Sequence, residues 1–285
     1  MFRLRPGHNR DIASCQESGQ PRPLRARLRR HAVAAAAVAM TAALGLLVIT
    51  PAAGGRQALA APVRWPTATA FGGTPAVGAL FAERDGRLTH FCTASVVHSP
   101  RGNLLITAAH CMQGRNLKPA GAIVFAPGYH DGEFPHGRWI IRAWYADSRW
   151  RASRDPDDDV AFLIAGRPGL RIEKYTGAET LATGVSLPRQ VRVIGYPEST
   201  DRPVRCDAPA RAANPDHHRQ LVFYCDGYTD GTSGGPFLAR LSATAGTGQV
   251  IGVIGGYEKG GLSPDVSYSA RLGGRVAALY RAVTS

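Results

Sequence analysis

From about residue 70 onward the chain reads as short apolar segments divided by Gly, Pro and Asp; residues 76–81, 138–142, 191–194 and 250–254 are representative. Runs of this length with frequent turn signals between them predict an all-β barrel or sandwich. The least strand-like stretch, 166–188, divides the rest into unequal halves and is expected to cross between two barrels. One helix is predicted at the end. Val276, Leu279, Tyr280 and Val283 fall at i, i+3, i+4 and i+7, just after Gly273-Gly274.

The first sixty residues follow another pattern. Arg22, Arg25, Arg27, Arg29 and Arg30 precede residues 31–50, which carry no charge, and Ala58-Leu59-Ala60 offers a small-x-small cleavage site. That layout predicts a secretory signal peptide over 1–60. An uncleaved anchor is the alternative, since the apolar run approaches bilayer-spanning length. The pair Arg29-Arg30 leaves twin-arginine export open. Residues 61–70 read as a short pro-segment or N-terminal arm, and 71–285 as the mature domain.

Removing 1–60 changes the charge picture. That segment holds nine Arg and two acids, so it accounts for +7 of the formal +13 and leaves 25 basic and 19 acidic residues. A mildly basic exported protein favours anionic surfaces. No nucleic-acid partner is implied, membrane contact is expected only transiently through the signal peptide, and a monomer is expected. Cys15 leaves with the signal peptide, so Cys92, Cys111, Cys206 and Cys225 remain. Four cysteines in an exported chain point to disulfides with three possible pairings, free thiols being the alternative.

Two motifs and one aspartate carry the chemistry. Thr107-Ala108-Ala109-His110-Cys111 closes the apolar run 104–106, and Gly231-Thr232-Ser233-Gly234-Gly235-Pro236 places a serine in a glycine-rich turn. A serine hydroxyl is a poor nucleophile at neutral pH and needs a base to take its proton. A third group must orient that base, and Asp159, directly before the apolar residues 160–163, is the candidate. In this order, histidine, aspartate, serine, the three motifs resemble the trypsin/chymotrypsin-like serine peptidases in their bacterial secreted branch.

The resemblance implies two six-stranded antiparallel β-barrels, about 71–165 and about 189–285, with the C-terminal helix packed on the second. It implies His110 as base, Asp159 as its orienting group and Ser233 as nucleophile, with the N–H groups of Gly231 and Ser233 as oxyanion hole. It pairs Cys92 with Cys111, and Cys206 then with Cys225. The implied activity is hydrolysis of protein or peptide substrates outside the cell through an acyl-enzyme, with no cofactor. A catalytically silent module that grips cell-wall or protein partners is the competing class. The G-x-S-x-G pattern also suits an α/β-hydrolase, but that fold places its histidine after the serine, and none follows His218.

Other positions refine this picture. Tyr228, Gly255, Gly256 and Tyr257 are expected to border the substrate pocket, with the strand 250–257 pairing to substrate. Trypsin-type enzymes place an aspartate six residues before the serine, which is Gly227 here; Asp226 or Asp265 could substitute for it. Gly195-Tyr196-Pro197 resembles glutamate-specific relatives, whose pocket histidine has no counterpart in 250–257. Where animal relatives carry an aspartate that receives a clipped N-terminus, this chain has Thr232, so activity without that salt bridge is expected. Asp157 and Asp158 read as a solvated loop, with calcium the alternative. His90, His98, His130 and His136 read as surface or strand-end residues, and His217-His218 as a loop pair; no zinc spacing is present and no metal is expected. Residues 130–156 are expected to form loops around the cleft, and Arg149-Trp150-Arg151 either a solvated loop or a basic cleft wall.

Overall fold

The computed structural model describes residues 64–285, apart from 116, 118–121, 189, 214–218 and 244–245. The segment 1–60 expected to be a signal peptide, Cys15 within it, and His217-His218 lie outside the described residues.

The first half is a closed barrel. Its strands are β2 (Val77–Arg84), β3 (Arg87–Val97), β4 (Leu104–Thr107), β5 (Ala122–Pro127), β6 (Trp139–Ala146) and β7 (Ala161–Gly166), in the order β2-β3-β4-β7-β6-β5. Short β1 (Thr69–Ala70) precedes them. Asp85 and Gly86 join β2 to β3 with φ of +51° and +75°. Positive φ at both central residues is the type I′ requirement, and it matches the twist of the flanking strands.

Several strands are buried on both faces, which is why the sequence shows apolar runs rather than alternation. Leu105 and Leu163 point into the barrel with Trp139 and Phe125. Their neighbours Leu104, Ile106 and Phe162 face outward, into a layer shared with Ile194, Tyr196 and Val253 of the second half. A strand sandwiched in this way gains nothing from a polar face.

The second half contains β9 (Val191–Gly195), β10 (Val204–Ala208), β11 (Ala210–Ala212), β12 (Gln220–Tyr224), β13 (Pro236–Ala239), β14 (Gln249–Val253) and β15 (Val266–Ala270). Strands β10, β9, β13 and β14 lie in one sheet and β11, β12 and β15 in another. Pro209 separates β10 from β11, because proline cannot donate to the ladder. At the other seam Gly255 N donates to Tyr268 O at 2.9 Å and Val253 N to Ser269 Oγ at 2.9 Å. The two sheets thus wrap one core around Val193, Phe223, Phe237 and Ile251. The chain is mostly β, as read from sequence.

The crossing segment holds a short helix, α2 (Glu173–Thr176), and β8 (Thr180–Leu181). Glu179 N donates to Val96 O of the first half, while Thr180 N donates to Gly248 O of the second, both at 2.9 Å. The helix α1 (Ser148–Ser153) follows β6, and α3 (Gly274–Thr284) ends the chain. The helix α3 corrects an expectation, because it docks on the first barrel rather than the second. Tyr280 stacks edge-on against Phe162 at 5.9 Å, and its hydroxyl donates to His98 O at 2.8 Å. Its apolar stripe finds the outward face of β7 there.

His90 is also not a surface histidine. It sits half-buried beside the Phe81 and Tyr196 rings, and desolvation lowers its pKa to about 4. Glu179 is wholly buried; one carboxylate oxygen accepts from Gly248 N and the other has no partner among the described residues. Burial pushes its pKa up to about 7, opposed in part by the Gly248 bond.

A carboxyl whose folded pKa lies above its unfolded value holds a proton that the unfolded chain has released. Stability therefore falls as pH rises from about 4.5 to about 7. Glu179→Gln keeps the acceptor and removes the charge. It is expected to raise the midpoint of thermal unfolding at pH 8, by up to about 3 kcal/mol of stability, and to leave it unchanged at pH 4. Equal midpoints at both pH values would exclude this role.

Candidate active site

The end of β4 delivers His110 to the surface. A single 3-10 turn, Ala109–Met112, follows the strand, and Cys111 within it is bonded to Cys92 on β3. The second disulfide joins Cys206 and Cys225.

Asp159 is wholly buried. A buried carboxylate is tolerated only when donors replace its water, and three do so. His110 N donates to Oδ1 at 2.8 Å, His110 Nδ1 to Oδ2 at 2.7 Å, and Gly256 N to Oδ2 at 2.7 Å. With Nδ1 donating, Nε2 is left as the accepting nitrogen. A Cβ on Gly255 would stand 2.9 Å from Asp159 Oδ2 and 3.0 Å from Ala108 Cβ, so glycine is what lets this strand approach the carboxylate.

The neighbouring carboxylates have structural partners. Asp157 accepts from Arg219 N at 3.2 Å and Gln220 Nε2 at 3.1 Å. Asp158 is not solvated as expected; it is buried and takes both arms of Arg275, at 2.7 and 3.0 Å. That pair ties the turn before Asp159 to the first turn of α3.

Ser233 lies in a turn that closes over the first barrel. Gly234 has φ of +84°, and a Cβ there would fall 2.1 Å from Thr107 Oγ1; only glycine fits. Glu198 N donates to Asp230 O at 2.7 Å, and Gly235 N to Thr232 O at 2.9 Å. These bonds set the planes of the two peptides that carry the Gly231 and Ser233 amides, and neither amide donates to another group among the described residues. The Cys111 sulfur lies 3.9 Å from His110 Nε2 and 3.7 Å from Ser233 O, so serine and histidine flank one disulfide. The Ser233 hydroxyl, however, donates to Lys259 O at 3.4 Å, and no hydrogen bond joins it to His110 among the described residues. Lys259 belongs to a tight turn, with φ of +47° at Glu258 and +57° at Lys259. Nothing in the sequence signalled that contact.

A cavity of about 250 Å³ opens beside Ser233, lined by Tyr228, Thr229, Thr232, Ile254, Pro264, Val266 and Ser267 among others. Of the four residues expected to border it, Tyr228 does, its hydroxyl bonded to Val193 O at 2.7 Å. Gly255 and Gly256 stand against Asp159 instead, and Tyr257 N donates to Gln220 Oε1 at 3.0 Å. Asp226 and Asp265 face a separate hollow beside Arg64 and Trp65. Asp226 pairs through its backbone with residues of the N-terminal arm, Pro66 and Ala68. Thr232, where an aspartate was absent, donates its hydroxyl to Thr229 O at 2.7 Å.

The Arg149-Trp150-Arg151 segment lies in α1, with both arginines exposed, as the solvated reading expected, and Trp150 turned inward. Trp150 is a core residue packed on Ala109, Ala146 and Ala161, and Arg151 folds back onto Ala146 O at 3.1 Å.

Residues 92–253 match the family model described as a trypsin-like peptidase domain. The chain belongs to the trypsin-like peptidase family. Its architecture resembles the protease Anisep from Arthrobacter nicotinovorans, with a TM-score of 0.65 and 20% identity over 76% of this chain and 99% of that one. It also resembles the thermostable serine protease AL20 from an extremophilic microorganism, with a TM-score of 0.62 and 23% identity over 74% of this chain and 97% of that one. These likenesses establish the fold. An extracellular metalloprotease of Bacillus subtilis (strain 168) is 28% identical over 171 residues, 59% of this chain and 52% of that protein. The chain thus spans about half the length of that relative.

The relative's name implies a metal, and the donor set among the described residues does not fit one. Among the described residues, the group whose ligand atoms lie close enough together is Cys92, His110 and Cys111. Its two sulfurs are bonded to each other, whereas a metal takes thiolate.

The Asp158–Arg275 pair makes a stability prediction. Arg275→Met leaves a buried carboxylate without its partner and is expected to cost about 1–3 kcal/mol, less than a fully buried pair because Arg275 is partly exposed. Asp158→Asn combined with it should recover most of that loss in a thermal melt. A double variant no better than Arg275→Met would refute the pairing.

Proposed function

We propose that this chain is an exported serine endopeptidase that cleaves peptide bonds through an acyl-enzyme on Ser233. The observation that carries the reading is the hold of Asp159 on His110, through its backbone N and through Nδ1 of its imidazole, which leaves Nε2 to accept a proton. In the reaction His110 takes the Ser233 proton as Oγ attacks the substrate carbonyl. The Gly231 and Ser233 amides receive the negative charge that develops on the carbonyl oxygen. His110 then returns the proton to the leaving amine, and water repeats the sequence in reverse on the ester. The Ser233 hydroxyl has to turn from Lys259 O to His110 before the first step.

Export is supported by the N-terminal signal pattern and by two disulfides, which persist in oxidising compartments. The pocket supports an uncharged side chain on the acyl side of the cleaved bond. Its lining is apolar or hydroxylic except for Asp230, which is exposed.

A silent binding module is the second reading, favoured by the Ser233–Lys259 bond. A serine-directed fluorophosphonate separates the two. Labelling of the wild type, absent in Ser233→Ala, is expected, together with a loss of roughly 10⁴-fold or more in kcat for Ser233→Ala or His110→Ala. An unlabelled wild type would support the silent module, and label persisting in Ser233→Ala would remove this nucleophile. A peptide-library digest should show cleavage after uncharged side chains. A preference of about tenfold or more for Lys, Arg or Glu, roughly 1.4 kcal/mol, would overturn the pocket assignment.

A further inference from the structure

Thr93 is wholly buried and follows Cys92 on β3, yet every polar atom it has is spent on the second half or on the histidine strand. Its N–H donates to Ser233 O at 2.7 Å. Its carbonyl accepts from Thr107 Oγ1 at 2.7 Å. Its hydroxyl accepts from Tyr196 N at 2.9 Å and donates to Gly231 O at 3.0 Å. One residue of the first barrel therefore grips both residues whose amides would form the oxyanion site.

Gly231 has φ of +91°, and glycine crosses between backbone wells with little steric resistance. The turn therefore needs an external hold. The position where animal relatives carry an aspartate is Thr232 here, whose hydroxyl bonds within the turn itself. From outside, Glu198 N donates to Asp230 O and Gly234 N to Ile254 O, both at 2.7 Å, while Thr93 holds Gly231 O and Ser233 O.

We infer that the Thr93 hydroxyl is a positioning group for the oxyanion site, relaying a hydrogen bond from Tyr196 N to Gly231 O and so holding the Gly231–Thr232 peptide that links the two peptides carrying the Gly231 and Ser233 amides. Deleting the hydroxyl strips a donor from Gly231 O and an acceptor from Tyr196 N, both inside the protein. The Gly231–Thr232 peptide then keeps only the bond from Thr232 N to Thr229 O, at 3.2 Å, among the described residues.

This inference rests on the Ser233 reading, so the test carries its own control. Thr93→Val and Thr93→Ser are compared with the wild type and Ser233→Ala on one peptide substrate, with a peptidyl aldehyde as transition-state analogue and the product peptide as ground-state ligand. Thr93→Val is expected to lower kcat by about 10²-fold, near the loss of one oxyanion donor, with KM changed less than about threefold. Aldehyde affinity should fall in parallel, product affinity should hold, and Thr93→Ser should recover kcat to within about threefold, since an aldehyde adduct carries the oxyanion and a product does not.

If Thr93→Val does not fold, Thr93→Ala supplies the same deletion. Ser233-dependent turnover with Thr93→Val at wild-type kcat would overturn this role alone. So would equal loss of aldehyde and product affinity, or a serine variant no better than valine. Turnover independent of Ser233 would sink the parent reading as well.

Discussion

The buried Asp159 carboxylate is the constraint around which the site is organised. Taking an ionised group out of water is costly, and the cost is met only by donors with good geometry. Two of its three donors come from the turn after β4 and the third from the backbone beyond β14. The two halves of the molecule must therefore meet at this one group. Gly255 has no side chain because a Cβ would touch the carboxylate, and the same approach leaves Gly256 N in range.

The approach is maintained by elements remote from the histidine. The layer between the halves is apolar on both sides, and the crossing segment bonds to β3 on one side and to the chain before β14 on the other. The Asp158–Arg275 pair anchors the turn just before Asp159 to α3, which in turn lies on β7. Thr93 does the equivalent for the serine turn. Each half of the site is thus braced by residues that belong to the opposite half or to the chain terminus.

The pocket beside Ser233 follows from the same packing. The segment 225–228 is held from behind by the N-terminal arm, with Trp65 stacked on Tyr224 at 4.3 Å and Ala68 N bonded to Asp226 O. Asp226 faces the hollow beside Arg64 and Trp65, while Tyr228 lines the pocket beside Ser233. The tight turn at Glu258 and Lys259 meets the serine from the other side, where Lys259 O accepts from the Ser233 hydroxyl.

Much of this molecule was legible as sequence. Apolar run length and turn residues determined the β class, the glycines of 231–235 marked a turn where no side chain fits, and cysteine parity anticipated two bridges. Those are local properties, set by side-chain volume, φ preference and redox chemistry. Partner choice was not legible. Three consecutive aspartates look alike in sequence, yet one holds the imidazole, one an arginine and one a glutamine. Thr93 reads as an ordinary strand residue until it meets Gly231, 138 positions away. The apolar stripe of α3 specified that it must be covered, not by which barrel. Burial and hydrogen bonding depend on what the fold brings alongside, so only the tertiary structure decided them.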